Sequence, residues 1–230
     1  KQNVNVVVWL GLHGQKASVS VNVELNLFVG WVLAVPEADN QSMPVHTLAP
    51  DPSLLFKKLK TLQPNIRKVH VVYDPRQNAW LIKLARDAAK ANGLELVAQE
   101  ATDLRVAVKA YQGIINSANL AQEALWLLQD STTVDESVVL PLVLEDGWGR
   151  NLLVFSSNMA HVKRGALFSL YPSNVDLGRT LGASAMSYLG GGNTARGVLP
   201  LTDVLMAVNL RTATHLGISL NYTQQRAFDS

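Results

Sequence analysis

The sequence predicts an α/β fold: a doubly wound parallel sheet across most of the chain, with a second, reduced lobe at its front. Three observations lead there. From about residue 66 onward, β-branched runs alternate with amphipathic helical runs. A strand and its helix recur about every 30 residues, the length of a βαβ unit. Asp, Ser, Thr or Asn stands at one strand-to-helix turn after another, where these side chains accept hydrogen bonds from the first free N–H groups of a helix.

The elements follow in order. In the first 65 residues, NVNVVVWL and FVGWVLAV read as strands, and VSVNVELNL between them alternates with period two and fits beside either. HTLAPDPSLLFKKLKTLQP carries a Pro-Asp-Pro turn feeding a helix that Pro64 ends. This block, 1–65, is a reduced first lobe; the returning segment 198–230, with the strand VLMAVN and the short helix LRTATHLG, is expected to complete its sheet.

Residues 66–197 form a Rossmann-like lobe. IRKVHVVYDP is a strand ending in a turn. NAWLIKLARDAAKANG is a helix whose Leu81, Leu84, Ala85 and Ala88 share a face, closed by Asn92-Gly93. LELVAQEAT is the next strand, Asp103 caps DLRVAVKAYQGIINSAN, and ALWLLQD reads as a fully buried strand. Thr133 with Glu136 resembles a capping box for a helix through VVLPLVLEDGWG that Pro141 kinks or shortens. LLVFSS and GALFSLYP are strands, and a helix begun at Ser173 ends at Gly190-Gly191-Gly192.

Composition narrows the function. The chain has 230 residues, 48% apolar, with a net charge of +2, which describes a folded domain with a substantial core. Its mean hydropathy is +0.11, and the apolar runs fall short of the ~20 residues a membrane helix takes. Lys57, Lys58 and Lys60 read as a solvated helix face, so no nucleic-acid partner is expected. The absence of cysteine removes disulfides, thiolate catalysis and sulfur-ligated zinc. His13, His46, His70, His161 and His215 form no i, i+4 pair, and no metal site is expected. Gly11-Leu12-His13-Gly14 and GGGNTARG lack the spacing of a phosphate loop, so no cofactor is expected either.

In an open parallel sheet, ligands sit outside the carboxyl ends of the strands. Those ends offer Tyr73-Asp74-Pro75-Arg76, Thr102-Asp103, Asp130-Ser131-Thr132-Thr133 and Ser156-Ser157-Asn158. The candidate ligand-binding residues are Asp74, Arg76, Asp130, Ser131, Thr132, Ser156, Ser157 and Asn158. Each is also what a βα turn uses for its own backbone, so turn formation stands beside ligand binding at every position. Asp74 and Asp130 fit a carboxylate pair, a hold on a metal ion, a cap or a ligand-amine contact. His161, with no carboxylate spaced to orient it, reads as a surface helix residue. Trp80, Trp148 and Tyr171 stand near loops, where core packing and an aromatic clamp both remain open.

PNIRKVHVVYDP, ARDAAKANGLELV, ALWLLQDSTTV, NLLVFSSNMAHVKRGALFSLYPSNVDLGR and VNLRTATHLGI together resemble the ABC-transporter substrate-binding proteins that include tryptophan- and tyrosine-type binding proteins. The resemblance runs from about residue 50 to the C-terminus and is most specific at 156–179. It implies a type 1 periplasmic-binding fold whose two lobes close on a small polar solute, an amino acid or related carboxylate, and deliver it to a membrane permease without chemistry. It also implies a periplasmic or extracytoplasmic location, and it carries the family's cleft loops onto Asp74 and its neighbours, Asp130 to Thr132, and Ser156 to Asn158. The short front block departs from the family. It leaves open an accessory or sensor module that docks a partner, with a homodimer as one form. An enzyme using Asp74 or Asp130 with His161 is the third reading.

Overall fold

The computed structural model describes residues 6–10, 26–32, 44–189 and 197–220. In chain order the first elements are β1 (Val6–Leu10), β2 (Asn26–Val32), β3 (Pro44–Pro50), α1 (Pro52–Leu62), β4 (Lys68–Tyr73) and α2 (Pro75–Ala91). Next come β5 (Glu95–Glu100), α3 (Leu104–Ser117), β6 (Glu123–Leu127), α4 (Val139–Arg150), β7 (Leu153–Ser156) and α5 (Met159–Arg164). The last are β8 (Phe168–Pro172), α6 (Asn174–Leu189), β9 (Gly197–Leu201), β10 (Val204–Val208) and α7 (Leu210–His215).

These elements fall into two compact units, residues 1–49 with 172–203 and residues 50–171 with 204–230. The first unit holds a four-stranded sheet in the order β1-β2-β3-β9. β1 and β2 pair in parallel, Val6 opposite Asn26 through Leu10 opposite Gly30. β2 and β3 are also parallel, with a register irregularity between Gly30 and Val32. Thr47 Oγ1 donates to Leu199 C=O at 3.1 Å, which ties β3 to β9. Ser173 Oγ donates to the Asp176 carboxylate at 2.6 Å at the start of α6.

The second unit holds a six-stranded sheet in the order β10-β8-β7-β6-β4-β5. The pairs β4/β5, β4/β6, β6/β7 and β7/β8 are parallel. The chain steps from β4 outward to β5 and then crosses back to lay β6 on the other flank of β4, so the topological switch lies between β4 and β6. At the far edge, Asn209 N–H donates to Leu167 C=O at 2.8 Å, so the end of β10 meets the start of β8 and the strand runs counter to it.

Covered on both faces, β6 is apolar from Ala124 to Leu127 and β7 from Leu153 to Phe155, as buried parallel strands are. Alternation sorts their side chains. Leu125, Leu127 and Val154 pack with Ala107, Tyr111 and Ile114 of α3 and with Val139, Leu140 and Val143 of α4. On the other face, Trp126 stacks with Phe155 at 6.3 Å and Phe155 with Phe168 at 5.1 Å, while Phe56 of α1 meets Trp126 edge-on at 5.5 Å.

Several expectations are corrected. α1 and the pair β10 and α7 group with the six-stranded sheet, and of the returning segment only β9 joins the first unit's sheet. His46-Thr47-Leu48 lies in a strand, β3, that the turn signals at Pro50 and Pro52 hide. α2 begins at Pro75, a turn earlier than expected, because Asp74 caps it and proline suits the first helical position. Leu84 is exposed and not on the buried face of α2. Thr133 is buried and caps no helix: its Oγ1 donates to Val72 C=O at 3.3 Å, and α4 starts only at Val139. Pro141 sits in the first turn of α4, where its missing N–H has no intrahelical partner to lose, so the helix continues. VSVNVELNL up to residue 25, Gly11 to Gly14 and Gly190 to Gly192 lie outside the described residues.

Phe155 is fully buried between two rings. Phe155→Ala is therefore expected to lower the unfolding free energy by about 3–5 kcal/mol, measured by urea denaturation. Leu84→Ala, on the solvent side of α2, is expected to change it by less than about 1 kcal/mol.

Candidate functional site

β4 and β6 end side by side at the switch point, and an aspartate follows each: Asp74 directly after β4, and Asp130 in the loop after β6. Asp74, fully buried, is the N-cap of α2 and accepts from Arg76 N–H at 3.0 Å. The Arg76 side chain curls back over it, with Nε 2.9 Å from Oδ1 and Nη2 2.6 Å from Oδ2. The same Nη2 donates to Thr102 C=O at 2.9 Å, drawing in the loop after β5. Hydrogen bonds from the Arg76 guanidinium outweigh desolvation and hold the Asp74 carboxyl at about 2.

Asp130 is 3% exposed and accepts four hydrogen bonds. Its Oδ2 takes Asp74 N–H at 2.9 Å and Asn78 Nδ2–H at 2.8 Å. Its Oδ1 takes Thr132 N–H at 2.9 Å and Thr133 N–H at 3.2 Å. All four partners are donors, which is what a carboxylate requires and a carboxylic acid would not satisfy. Across the same gap Gln77 Nε2 donates to Thr132 Oγ1 at 3.0 Å. One side chain thus staples the loop after β4 to the loop after β6.

The end of β7 carries a second network. Ser156 is fully buried, and its Oγ accepts from Asn158 N–H at 2.9 Å, lies 2.8 Å from His161 Nδ1 and is 3.2 Å from Leu127 C=O. Asn158 Nδ2 stands 3.4 Å from His161 Nε2. All four contacts are satisfied at once by a neutral imidazole with its proton on Nδ1: Nδ1–H donates to Ser156, Ser156 O–H donates to Leu127, and Nε2 accepts from Asn158. Desolvation lowers the His161 pKa to about 4, consistent with that neutral ring. Ser157 Oγ accepts from Trp126 Nε1–H at 2.9 Å, so the aromatic stack reaches the rim through this hydroxyl.

Of the sequence candidates, the structure joins Asp74, Arg76, Asp130 and Thr132 in one network, and Ser156 and Asn158 in another. Ser157 binds inward to Trp126, and Ser131 is exposed. The reading of His161 as a surface residue is corrected: it is 3% exposed, on the inner side of α5. The aspartates meet through the backbone N–H of Asp74 and not carboxylate to carboxylate. Gln77 and Asn78 escaped sequence reasoning. The Asp74-Pro75 helix start, read as such, places them in the first turn of α2 facing the gap. Among the described residues, no group of three or more His, Cys, Asp or Glu is placed to hold a metal, and no helix is long and apolar enough to cross a membrane. A cavity of about 610 Å3, lined by Asn65, Leu120, Asn151 and His215 among others, opens at the opposite edge of this sheet.

Comparison with known proteins gives a consistent picture. Residues 51–225 match the family model for ABC transporter substrate binding protein, as the sequence motifs implied. No protein with a curated description matches. Among solved structures, a conserved domain protein from Vibrio cholerae is similar at 19% identity, covering 99% of this chain and 78% of that one, with a TM-score of 0.65. An ABC domain in complex with L-Trp from Streptococcus pneumonia is 16% identical over the same shares, with a TM-score of 0.66. A ligand-free, open substrate binding protein with adhesive properties from Clostridium difficile is 17% identical over 96% of this chain and 76% of that one, at 0.65. The fold is that of type 1 periplasmic-binding proteins.

The neutral buried imidazole sets a pH dependence. With His161 at about 4 in the folded chain and near 6.5 when unfolded, the unfolded state binds more protons between these values, so stability falls as pH drops through that window. The loss is on the order of 3 kcal/mol. Urea midpoints of wild type and His161→Gln between pH 7 and 4 test this, and the variant is expected to show the flatter profile. Equal slopes contradict it. Asp74, depressed to about 2, adds its own loss only as pH falls further, from its unfolded value near 4.

Proposed function

The chain belongs to the ABC transporter substrate-binding protein family, and from that premise we propose that it holds a small polar solute on the carboxyl-terminal rim of its six-stranded sheet. The solute passes from there to a membrane permease outside the cytoplasm. The observation that carries the reading is the Asp130 staple, which fixes two loops at the topological switch, where open parallel sheets bind ligands.

The rim's polar groups divide by what they already hold. Asp74, Asp130, Ser156 and Ser157 spend their hydrogen bonds inside the protein and act as scaffold. Arg76, with its side chain 64% exposed, together with Ser131 and Thr132, faces outward and contacts the solute, while the Asn158 amide is held by His161 and by the start of α5 and belongs with the scaffold. Arg76 suits a carboxylate, because Asp74 and Thr102 take its Nε and Nη2 while the two N–H donors of its Nη1 meet no partner among the described residues. An amino acid or related carboxylate is the ligand class, and L-Trp, bound in the Streptococcus protein, belongs in the first panel.

Binding without chemistry is supported by the state of the candidate acid–base groups. His161 is turned onto Ser156 and Asn158, away from both aspartates, and Ser156 is too buried to attack a substrate.

A thermal-shift screen of amino acids, small carboxylates and purines tests the reading. A ligand at 100 times its Kd adds roughly 2.7 kcal/mol to stability, so one chemical class is expected to raise the melting temperature by several degrees. Arg76→Ala is expected to weaken that ligand at least tenfold in titration calorimetry. No shift across the panel counts against solute binding and in favour of a docking module.

A further inference from the structure

Away from the rim, at the opposite edge of the six-stranded sheet, a cavity of about 410 Å3 opens between the ends of α4 and α5 and the start of α7. Its framework is laced together. Asn209 Nδ2 donates to Val162 C=O at 2.8 Å and Thr212 Oγ1 to Gly165 C=O at 3.0 Å, which bind α7 to the end of α5. His215 Nε2 donates to Trp148 C=O at 3.0 Å and its ring stacks on the indole at 3.7 Å, which bind α7 to α4. The Arg211 guanidinium lies 5.4 Å from the centre of the Trp148 ring.

The lining is basic. Lys163, Arg164 and Arg211 face one carboxylate, that of Glu145. Three cations against one anion leave +2, as much as the whole 230-residue chain carries. Among the described residues none of the three cations forms an ion pair. Arg164 donates to Glu136 C=O at 3.2 Å, and that carbonyl is neutral. Like charges held on a fixed frame around a concave space repel one another, and an anion seated among them removes that repulsion.

We propose that this cavity binds a small, multiply charged oxyanion, a di- or tricarboxylate or a pyrophosphate-like group, through Lys163, Arg164 and Arg211. Its volume lies within the ~300–1,000 Å3 of small-molecule sites. Arg211, steadied by Trp148, supplies the oriented donors, and Lys163 and Arg164 complete the field. Glu145 limits affinity on the same wall. The site is separate from the solute rim, and the inference stands or falls without it.

Titration calorimetry of the full chain with inorganic pyrophosphate and with citrate, at low ionic strength, tests this. A Kd below about 1 mM is expected for at least one of them, weakening as salt screens the charges. Lys163→Gln removes a side chain that has no hydrogen bond or ion pair among the described residues, so the fold is expected to survive, and binding is expected to weaken about threefold to tenfold. Glu145→Gln is expected to strengthen binding, and Lys57→Gln, on the exposed side of α1, to leave it unchanged. The proposal is overturned if neither anion binds, or if Lys163→Gln and Glu145→Gln leave the Kd unaltered. Binding to phosphatidylglycerol vesicles with no response to either free anion overturns it as well.

Discussion

Asp130 is a carboxylate withdrawn almost completely from water, and a buried carboxylate is tolerable only when its oxygens are saturated with donors. That requirement fixes where four groups stand: the N–H of Asp74, the amide of Asn78, and the N–H groups of Thr132 and Thr133. Two donors come from the segment after β4 and two from the segment after β6. The loops on either side of the topological switch are therefore positioned by one acceptor. Losing any one donor would leave part of a buried charge unsatisfied, at a cost of about 1–3 kcal/mol, and this penalty makes the arrangement stiff.

The rest of the rim follows from that constraint. With its backbone N–H committed to Asp130, Asp74 has its side chain free to cap α2 and gather Arg76. Arg76 in turn reaches the loop after β5, so three consecutive loops are joined. Next door, Ser156 and His161 saturate each other in a dry site, and Ser157 fastens the rim to the aromatic layer through Trp126. The outward groups are thus presented by a frame that is already organised, which would lower the ordering cost of the solute binding proposed for them.

Much of this was legible in the sequence. Unbroken apolar runs such as ALWLL and LLVF announced strands covered on both faces, and the roughly 30-residue spacing announced crossovers, so the parallel sheet and the edge bearing the polar strand-end loops could both be read. Less legible was anything decided by partners distant in sequence. Thr133 and Glu136 have the spacing of a capping box, yet Thr133 is claimed by Val72 from another strand, and tertiary contact overrides local pattern. His161 sits among polar and basic neighbours in the sequence, and only the turn after β7 folds it inward onto Ser156. The destination of the C-terminal strand was missed for a similar reason: VLMAVN suits the edge of either sheet, and only its pairing beside β8 decides. Asp74 and Asp130 were found as strand-end residues, but their connection through a backbone N–H across 56 positions is a three-dimensional fact.

Amide hydrogen exchange in the wild-type chain and in Asp130→Ala measures the staple most directly. If Asp130 holds the two loops, removing its carboxylate strips protection from the amides of Asp74, Thr132 and Thr133, while those of Val71 and Leu125 in the neighbouring strands keep theirs. Unchanged protection at the three loop amides would show that the loops are held by something else, and the account of the rim would fail.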